Sequence, residues 1–193
     1  MKWLVIGISG PTNSGKTSVA MKVNGKIKGS LIIRQDDYFL PKDDPRHILI
    51  PDLNHYNWEI LSSLDMERMH NDVLSIIDSQ ETKLPNGTSK ETRLLILEGF
   101  LLYNYPPIAQ LCDKKYFIDI TREVCWNRRK GRQYDPPDVP GYFDRIVWPE
   151  FLRHKSEMMS DSDLLETITF LDGTEDLDKL CNKIINEVNT VLH

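Results

Sequence analysis

Cysteine is scarce in this 193-residue chain: Cys112, Cys125 and Cys181 stand far apart and are odd in number. No C-x-x-C or H-E-x-x-H spacing occurs, which argues against a disulfide framework and the common zinc motifs. Isolated thiols suit a reducing compartment. No apolar run approaches the ~18 residues that signal a membrane span. No signal-peptide pattern precedes the first apolar run, so the expectation is a cytoplasmic protein with no membrane partner. Excess positive charge is also missing. The net charge is −5, which leaves no broad basic surface for nucleic acid. Repeats and low-complexity tracts are absent, and the length suits one domain over residues 1–193. Oligomerisation leaves no trace in the sequence, so a monomer is expected.

What is present is an alternation. Apolar runs at 3–8, 30–34, 93–97, 115–120 and 167–171 read as strands. Helical patterns fall at 16–24, 59–80, 122–131, 143–158 and 175–191. In the second helical stretch Ile60, Leu64, Met69, Val73, Ile76 and Ile77 recur near helical spacing. Alternation of this kind predicts an α/β fold: a five-stranded parallel sheet with helices on both faces. Residues 36–57, with Pro41, Pro45 and Pro51, and 131–142, with Pro136, Pro137 and Pro140, resist regular structure. Residues 81–92 read as a solvated connection, with a turn signal at Pro85-Asn86-Gly87.

Between the first strand and the first helix lies Gly10-Pro11-Thr12-Asn13-Ser14-Gly15-Lys16-Thr17, followed by Ser18. This is the G-x-x-x-x-G-K-[ST] phosphate loop in the strand–loop–helix context it requires. The glycines let backbone N–H groups turn toward a polyphosphate, and the helix N-terminus favours that charge. Lys16 supplies a cation to the β/γ phosphates, and Thr17 offers a hydroxyl to Mg²⁺. A P-loop NTPase fold is the expectation.

Ligands of open α/β sheets lie beyond the carboxyl ends of the strands. Those ends carry Asp36, Glu98 and Asp172-Gly173-Thr174. Phosphoryl transfer needs Mg²⁺ ligands, a base for the acceptor hydroxyl and cations on the migrating group. Asp36 can take a proton. Glu98 follows Leu94-Leu95-Ile96-Leu97, where an acid that holds Mg²⁺ would sit. A cap or a surface charge is the competing explanation for either carboxylate. Arg128 and Arg132 are four apart and share a helix face if the helix persists. With Arg129 they open into the proline-rich segment, which reads as a lid over about 128–141. A solvated basic face is the plainer alternative.

The segments Gln35-Asp36-Asp37-Tyr38-Phe39, Leu97-Glu98-Gly99-Phe100 and Tyr134 to Trp148, taken with the phosphate loop, resemble the nicotinamide riboside kinases. The Asp-Asp-Tyr-Phe and Glu-Gly segments are shared with the wider uridine kinase group. The resemblance implies transfer of the ATP γ-phosphate to the 5′-hydroxyl of nicotinamide riboside, with Mg²⁺. It implies Asp36 as general base, Lys16 and Thr17 on phosphates and metal, Glu98 at the metal, and Arg128 and Arg132 acting from the lid. Trp58 and Tyr134 would sandwich the nicotinamide ring beside Phe39. Glu59 and Arg129 would bind the ribose hydroxyls, with Asp138 near the same pocket. The loop Asp172–Thr174 would approach the adenine. Two departures stand out. Glu59 occupies a position where the family usually has Asp, and residues 40–57 match poorly.

Other readings remain open at this point. Another nucleoside, such as uridine, is the nearest alternative acceptor, and GTP is an alternative donor. A nucleotide-dependent switch is more distant, because the N-K-x-D segment that reads guanine is absent.

Overall fold

The computed structural model describes residues 2–78 and 92–192. In chain order the elements are β1 (Lys2–Ser9), α1 (Lys16–Lys26), β2 (Leu31–Arg34), β3 (Leu49–Ile50), β4 (His55–Tyr56) and α2 (Met66–Asp78). They continue with β5 (Thr92–Glu98), α3 (Pro106–Leu111), β6 (Lys114–Asp119), α4 (Arg122–Arg129), α5 (Trp148–Ser160), α6 (Ser162–Glu166), β7 (Ile168–Asp172) and α7 (Leu177–Leu192). Five strands form one parallel sheet in the order β2-β5-β1-β6-β7. All five expected strands are present at nearly the expected bounds.

The period of two along the strands decides which residue meets which layer. Leu4, Ile6 and Ile8 of β1, Leu94 and Ile96 of β5, and Tyr116 and Ile118 of β6 face one layer. There they meet Val19, Ala20 and Val23 of α1 and Leu180, Cys181, Ile184 and Val188 of α7. The alternate residues Trp3, Val5, Leu95, Leu97 and Phe117 face the opposite layer, with Met69 and Val73 of α2, Ile108 of α3 and Met158 of α5. The four residues Leu94 to Leu97 are fully buried. Each such side chain stabilises the fold by about 1.5–3 kcal/mol. The apolar run before Glu98 is therefore rigid, and it holds that carboxylate at a fixed height beside β1.

Several elements differ from the sequence reading. The helix expected over 59–80 starts only at Met66, and positions 79 and 80 fall outside the described residues, as does the connection at 81–91. Asp65 stops the helix on its N-terminal side: its Oδ1 accepts the Arg68 N–H at 3.1 Å. The residues before it instead pair with the chain after β2, through Leu40 N–H to Ser63 O and Asp65 N–H to Tyr38 O. Ile60 and Leu64 are buried as expected, but from outside a helix. The helix expected over 143–158 opens with a wide π-type turn, Phe143–Val147, before α5. The irregular stretch 36–57 contains the β3–β4 hairpin, and α3 and α6 are short helices without a sequence counterpart.

A third, smaller cluster, Ile120, Cys125, Tyr142, Phe143 and Val147, packs with Trp58 and Trp148. It joins the proline-rich segment to the residues around the β3–β4 hairpin. No helix among the described residues is long and apolar enough to cross a membrane.

Candidate active site

The phosphate loop needs glycine where it turns. Gly10 has φ +140°, and a Cβ there would lie 2.1 Å from Ile118 O. Lys16 opens α1 and is largely buried, and its Nζ donates to Pro11 O at 2.8 Å. Burial pushes the Lys16 pKa down, against the opposing charges of Glu98 and Asp36. Thr17 Oγ1 donates to Glu98 Oε1 at 2.9 Å. Glu98 is 1% exposed and its Oε2 has no hydrogen-bond partner. Burial raises its pKa, and Lys16 is the main charge acting the other way.

A hydroxyl beside an orphaned carboxylate oxygen suits Mg²⁺, which takes one or two protein ligands plus phosphate and water. Among the described residues no group of three or more His, Cys, Asp and Glu side chains is placed to hold a metal. A binding mode that depends on the nucleotide's own oxygens does not require one.

Asp36 follows β2 in a tight turn, Gln35–Tyr38. Buried Gln35 anchors that turn by accepting the Leu101 N–H at 2.9 Å. A Cβ on Gly99 would come within 2.4 Å of Gln35, so the Glu98-Gly99 step and the Asp36 turn pack directly. Asp36 itself is exposed to the cleft, and its charge acts on Lys16, Glu98 and Glu59.

Arg129 is the hub of the next layer. Its guanidinium is 4% exposed and bonds Asp138 through two nitrogens, at 2.7 and 2.9 Å. It also reaches Thr12 Oγ1 at 3.1 Å and lies 3.6 Å from Glu59. Its fifth contact is the face of Tyr134, 4.2 Å from the ring centroid. Burial pushes the Glu59 pKa up to about 7, and this outweighs the attraction of Arg129. The Tyr134 hydroxyl accepts from Asn13 Nδ2 at 3.0 Å, which ties the proline-rich segment to the phosphate loop.

Trp58 stands edge-on to Phe39 at 5.9 Å and against His47 at 4.3 Å. Its backbone N–H donates to the Tyr142 hydroxyl at 2.9 Å. The flanking residues are held from α5. Asn57 Nδ2 donates to Glu150 Oε1 at 2.7 Å, Asn57 Oδ1 accepts the Glu59 N–H, and buried His154 Nε2 meets Glu59 O at 2.9 Å.

Many of these groups line one open cleft of ≈ 440 Å³, whereas Glu98, bonded to Thr17, is not among its lining residues. The cleft runs from Lys16, Thr17 and Ser18 past Asp36, Phe39, Glu59 and Arg129 to Trp58, Tyr134 and Asp138, with Arg132 at its edge. Two of its lining residues, Lys42 and Asp135, form an ion pair at 2.5 Å.

No family model matches the chain. Nicotinamide riboside kinase 1 of Rattus norvegicus is 35% identical over 195 residues, covering 100% of this chain and 97% of the relative. The chain belongs to the nicotinamide riboside kinase family. Human nicotinamide riboside kinase 2 is 34% identical over 98% of the chain and 82% of the relative. A uridine kinase of Haemophilus influenzae is more remote, at 26% over 68% of the chain and 69% of its own length. Among solved structures, a possible uridine kinase from Bacillus stearothermophilus has a TM-score of 0.56 at 15% identity, covering 89% of this chain and 90% of that one. A gluconokinase from Sinorhizobium meliloti has 0.55 at 12% identity, covering 100% and 95%. These likenesses show the P-loop kinase fold.

Not every residue the family resemblance points to lies on the cleft. Arg128 is not among the lining residues. Its guanidinium donates to Asn13 O at 3.2 Å and Gly173 O at 2.9 Å. Asp172 is likewise off the cleft, accepting from Thr174 N–H at 2.8 Å and Thr174 Oγ1 at 2.7 Å in a capped turn. Gly173 is packed tightly, since a Cβ there would lie 2.9 Å from Ser14 O. The loop therefore sits against the phosphate loop, and Arg128 staples the two together. The cleft also holds residues that the sequence did not single out, among them Lys42, His55 and Tyr142. Lys42 and His55 lie in the poorly matching stretch 40–57. Only Tyr142 had a visible signal, inside the Tyr134–Trp148 segment.

Proposed function

We propose that this protein transfers the γ-phosphoryl group of ATP to the 5′-hydroxyl of nicotinamide riboside, giving nicotinamide mononucleotide, as a single kinase domain. The observation that carries this reading is the continuous cleft, which joins a phosphate loop to an aromatic pocket past a free carboxylate. Full-length likeness to nicotinamide riboside kinases supports the choice of acceptor.

In this reading the donor phosphates lie on the loop Gly10–Ser18, and Lys16 leaves Pro11 O to meet them. Thr17 and Glu98 would hold Mg²⁺, which when bound neutralises charge on the β- and γ-oxygens. Asp36 accepts the proton of the 5′-hydroxyl as the oxygen attacks phosphorus, and Arg132 meets the migrating group from the cleft edge. Arg128 keeps the phosphate loop and the Asp172–Thr174 turn in register. Glu59 and Arg129 bind the ribose hydroxyls. The nicotinamide ring lies on Trp58 beside Tyr134. A pyridinium cation is favoured on an aromatic face and beside Asp138.

A coupled assay of ADP release tests the acceptor. With nicotinamide riboside, uridine and cytidine in parallel, the highest kcat/KM is expected for nicotinamide riboside. A preference for uridine would overturn the proposal.

A further inference from the structure

His55 lies in β4, in the rim hairpin, and lines the cleft. It is buried, 9% exposed, and meets the Tyr142 ring edge-on at 4.7 Å. The other two buried histidines are engaged: His47 with Pro41 O and His154 with Glu59 O. His55 is different. Its ring nitrogens make no hydrogen bond among the described residues, and neither is one of the sealed, partnerless polar atoms such as His47 Nδ1 and Trp58 Nε1. A buried imidazole with accessible, unused nitrogens on a ligand cleft is a recognition element awaiting a partner.

Its place along the cleft identifies what that partner is. Asp36 and Glu98 act on Lys16, at the phosphate end, whereas among the described residues it is Asp138 whose charge acts on His55. Tyr142 links His55 to the Trp58 backbone. His55 therefore belongs to the end of the cleft where the ring binds. Burial pushes its pKa down, so the imidazole is neutral at neutral pH and does not repel a cationic ring. A neutral imidazole has one N–H and one bare lone pair. A carboxamide has a carbonyl oxygen and an NH₂, so either tautomer finds a complement.

We propose that His55 is a specificity-determining residue that hydrogen-bonds an uncharged amide substituent on the ring stacked at Trp58. The inference rests on the proposed nicotinamide riboside reading and adds the group that reads the ring's side arm.

The test is a comparison of two acceptors: nicotinamide riboside, and the same riboside with plain pyridinium in place of the carboxamide-bearing ring. Wild-type kcat/KM is expected to favour the amide-bearing riboside about tenfold, the scale of one hydrogen bond. In His55→Phe, which keeps an aromatic ring against Tyr142, the preference is expected to fall to near parity while KM for ATP stays put. His55→Ala provides the same readout if phenylalanine is not accommodated. His55→Gln, with its own donor and acceptor, is expected to recover part of the preference. An unchanged preference in both His55→Phe and His55→Ala overturns this inference alone. Failure of the wild type to phosphorylate either riboside overturns the parent reading, and this one with it.

Discussion

Replacing Arg129 by methionine removes a charge on which two carboxylates depend. Asp138 loses two hydrogen bonds, at 2.7 and 2.9 Å, and Glu59 loses its cation at 3.6 Å. Removing one partner of a buried ion pair costs about 3–5 kcal/mol. The Asp138 side chain is 26% exposed and recovers some hydration, so the lower end, about 3 kcal/mol, applies. For a domain of this size that lowers Tm by about 6–12 °C. The cation–π contact with Tyr134 at 4.2 Å goes as well, which loosens that ring. In the proposed mechanism Arg129 also donates to the ribose, and a hydrogen bond to a charged group is worth about 1.5–3 kcal/mol. KM for the riboside is then expected to rise on the order of 10- to 100-fold, with KM for ATP changing much less. Arg129→Lys keeps the charge without the planar fork and is expected to fall between the two. Thermal denaturation and steady-state kinetics on the same preparations provide both readouts. A Tm within about 2 °C of wild type, on the scale of less than 1 kcal/mol, with an unchanged riboside KM would refute the reasoning.

Asp36→Ala is expected to lower kcat by about 10²–10⁴-fold while ATP binding by calorimetry stays near wild type; a turnover close to wild type removes Asp36 from the role of base. Burial pushes the Glu59 pKa up to about 7, and in the proposed mechanism it binds ribose as the carboxylate, so KM for the riboside is expected to fall as pH rises through that value. Glu59→Gln should flatten this profile, and a wild-type profile already flat between pH of about 6 and 8 contradicts the burial argument. The sign for folding is opposite: the raised pKa means that the free fold holds a proton the unfolded chain has lost, so its stability declines as pH rises from 4.5 toward 7. His154→Ala removes the side chain packed on Glu59 O, and is expected to raise the riboside KM several-fold at constant kcat and constant KM for ATP, with His154→Gln restoring most of it. An equal loss in every parameter would mean a merely structural role.

The sheet and the phosphate loop were legible because their signals are local. Leu94–Leu97 is a continuous apolar run, as a strand buried on both faces must be, and Glu98 follows it directly. The loop carries its glycines and Lys16 within eight residues. The second helix misled because Ile60 and Leu64 keep helical spacing, yet Asp65 caps the helix after them and pairing with Leu40 claims the residues before it. Two-residue strands such as β3 and β4 have no period to detect, so the hairpin and His55 stayed hidden among prolines and charges. The support of Glu59 by His154 spans 95 residues, and no spacing rule encodes it. Arg128 shows a different limit. Its place on a helix face was readable, but its partners are backbone carbonyls, which every residue type presents alike.

Three contacts link residues 42–57 to the segment after α4 at one constant separation of 93 residues: Lys42 to Asp135, Asp52 to Arg145 and Asn57 to Glu150. The contacts thus follow the same order along both stretches, although the β3–β4 hairpin turns the chain back within the first. Asn57 is buried, whereas the two ion pairs lie in solvent. Exposed pairs contribute little and weaken with salt, and a shielded hydrogen bond resists longer. Salt is therefore expected to loosen the two outer pairs before it affects the Asn57–Glu150 contact, which anchors the residues next to Trp58 and Glu59.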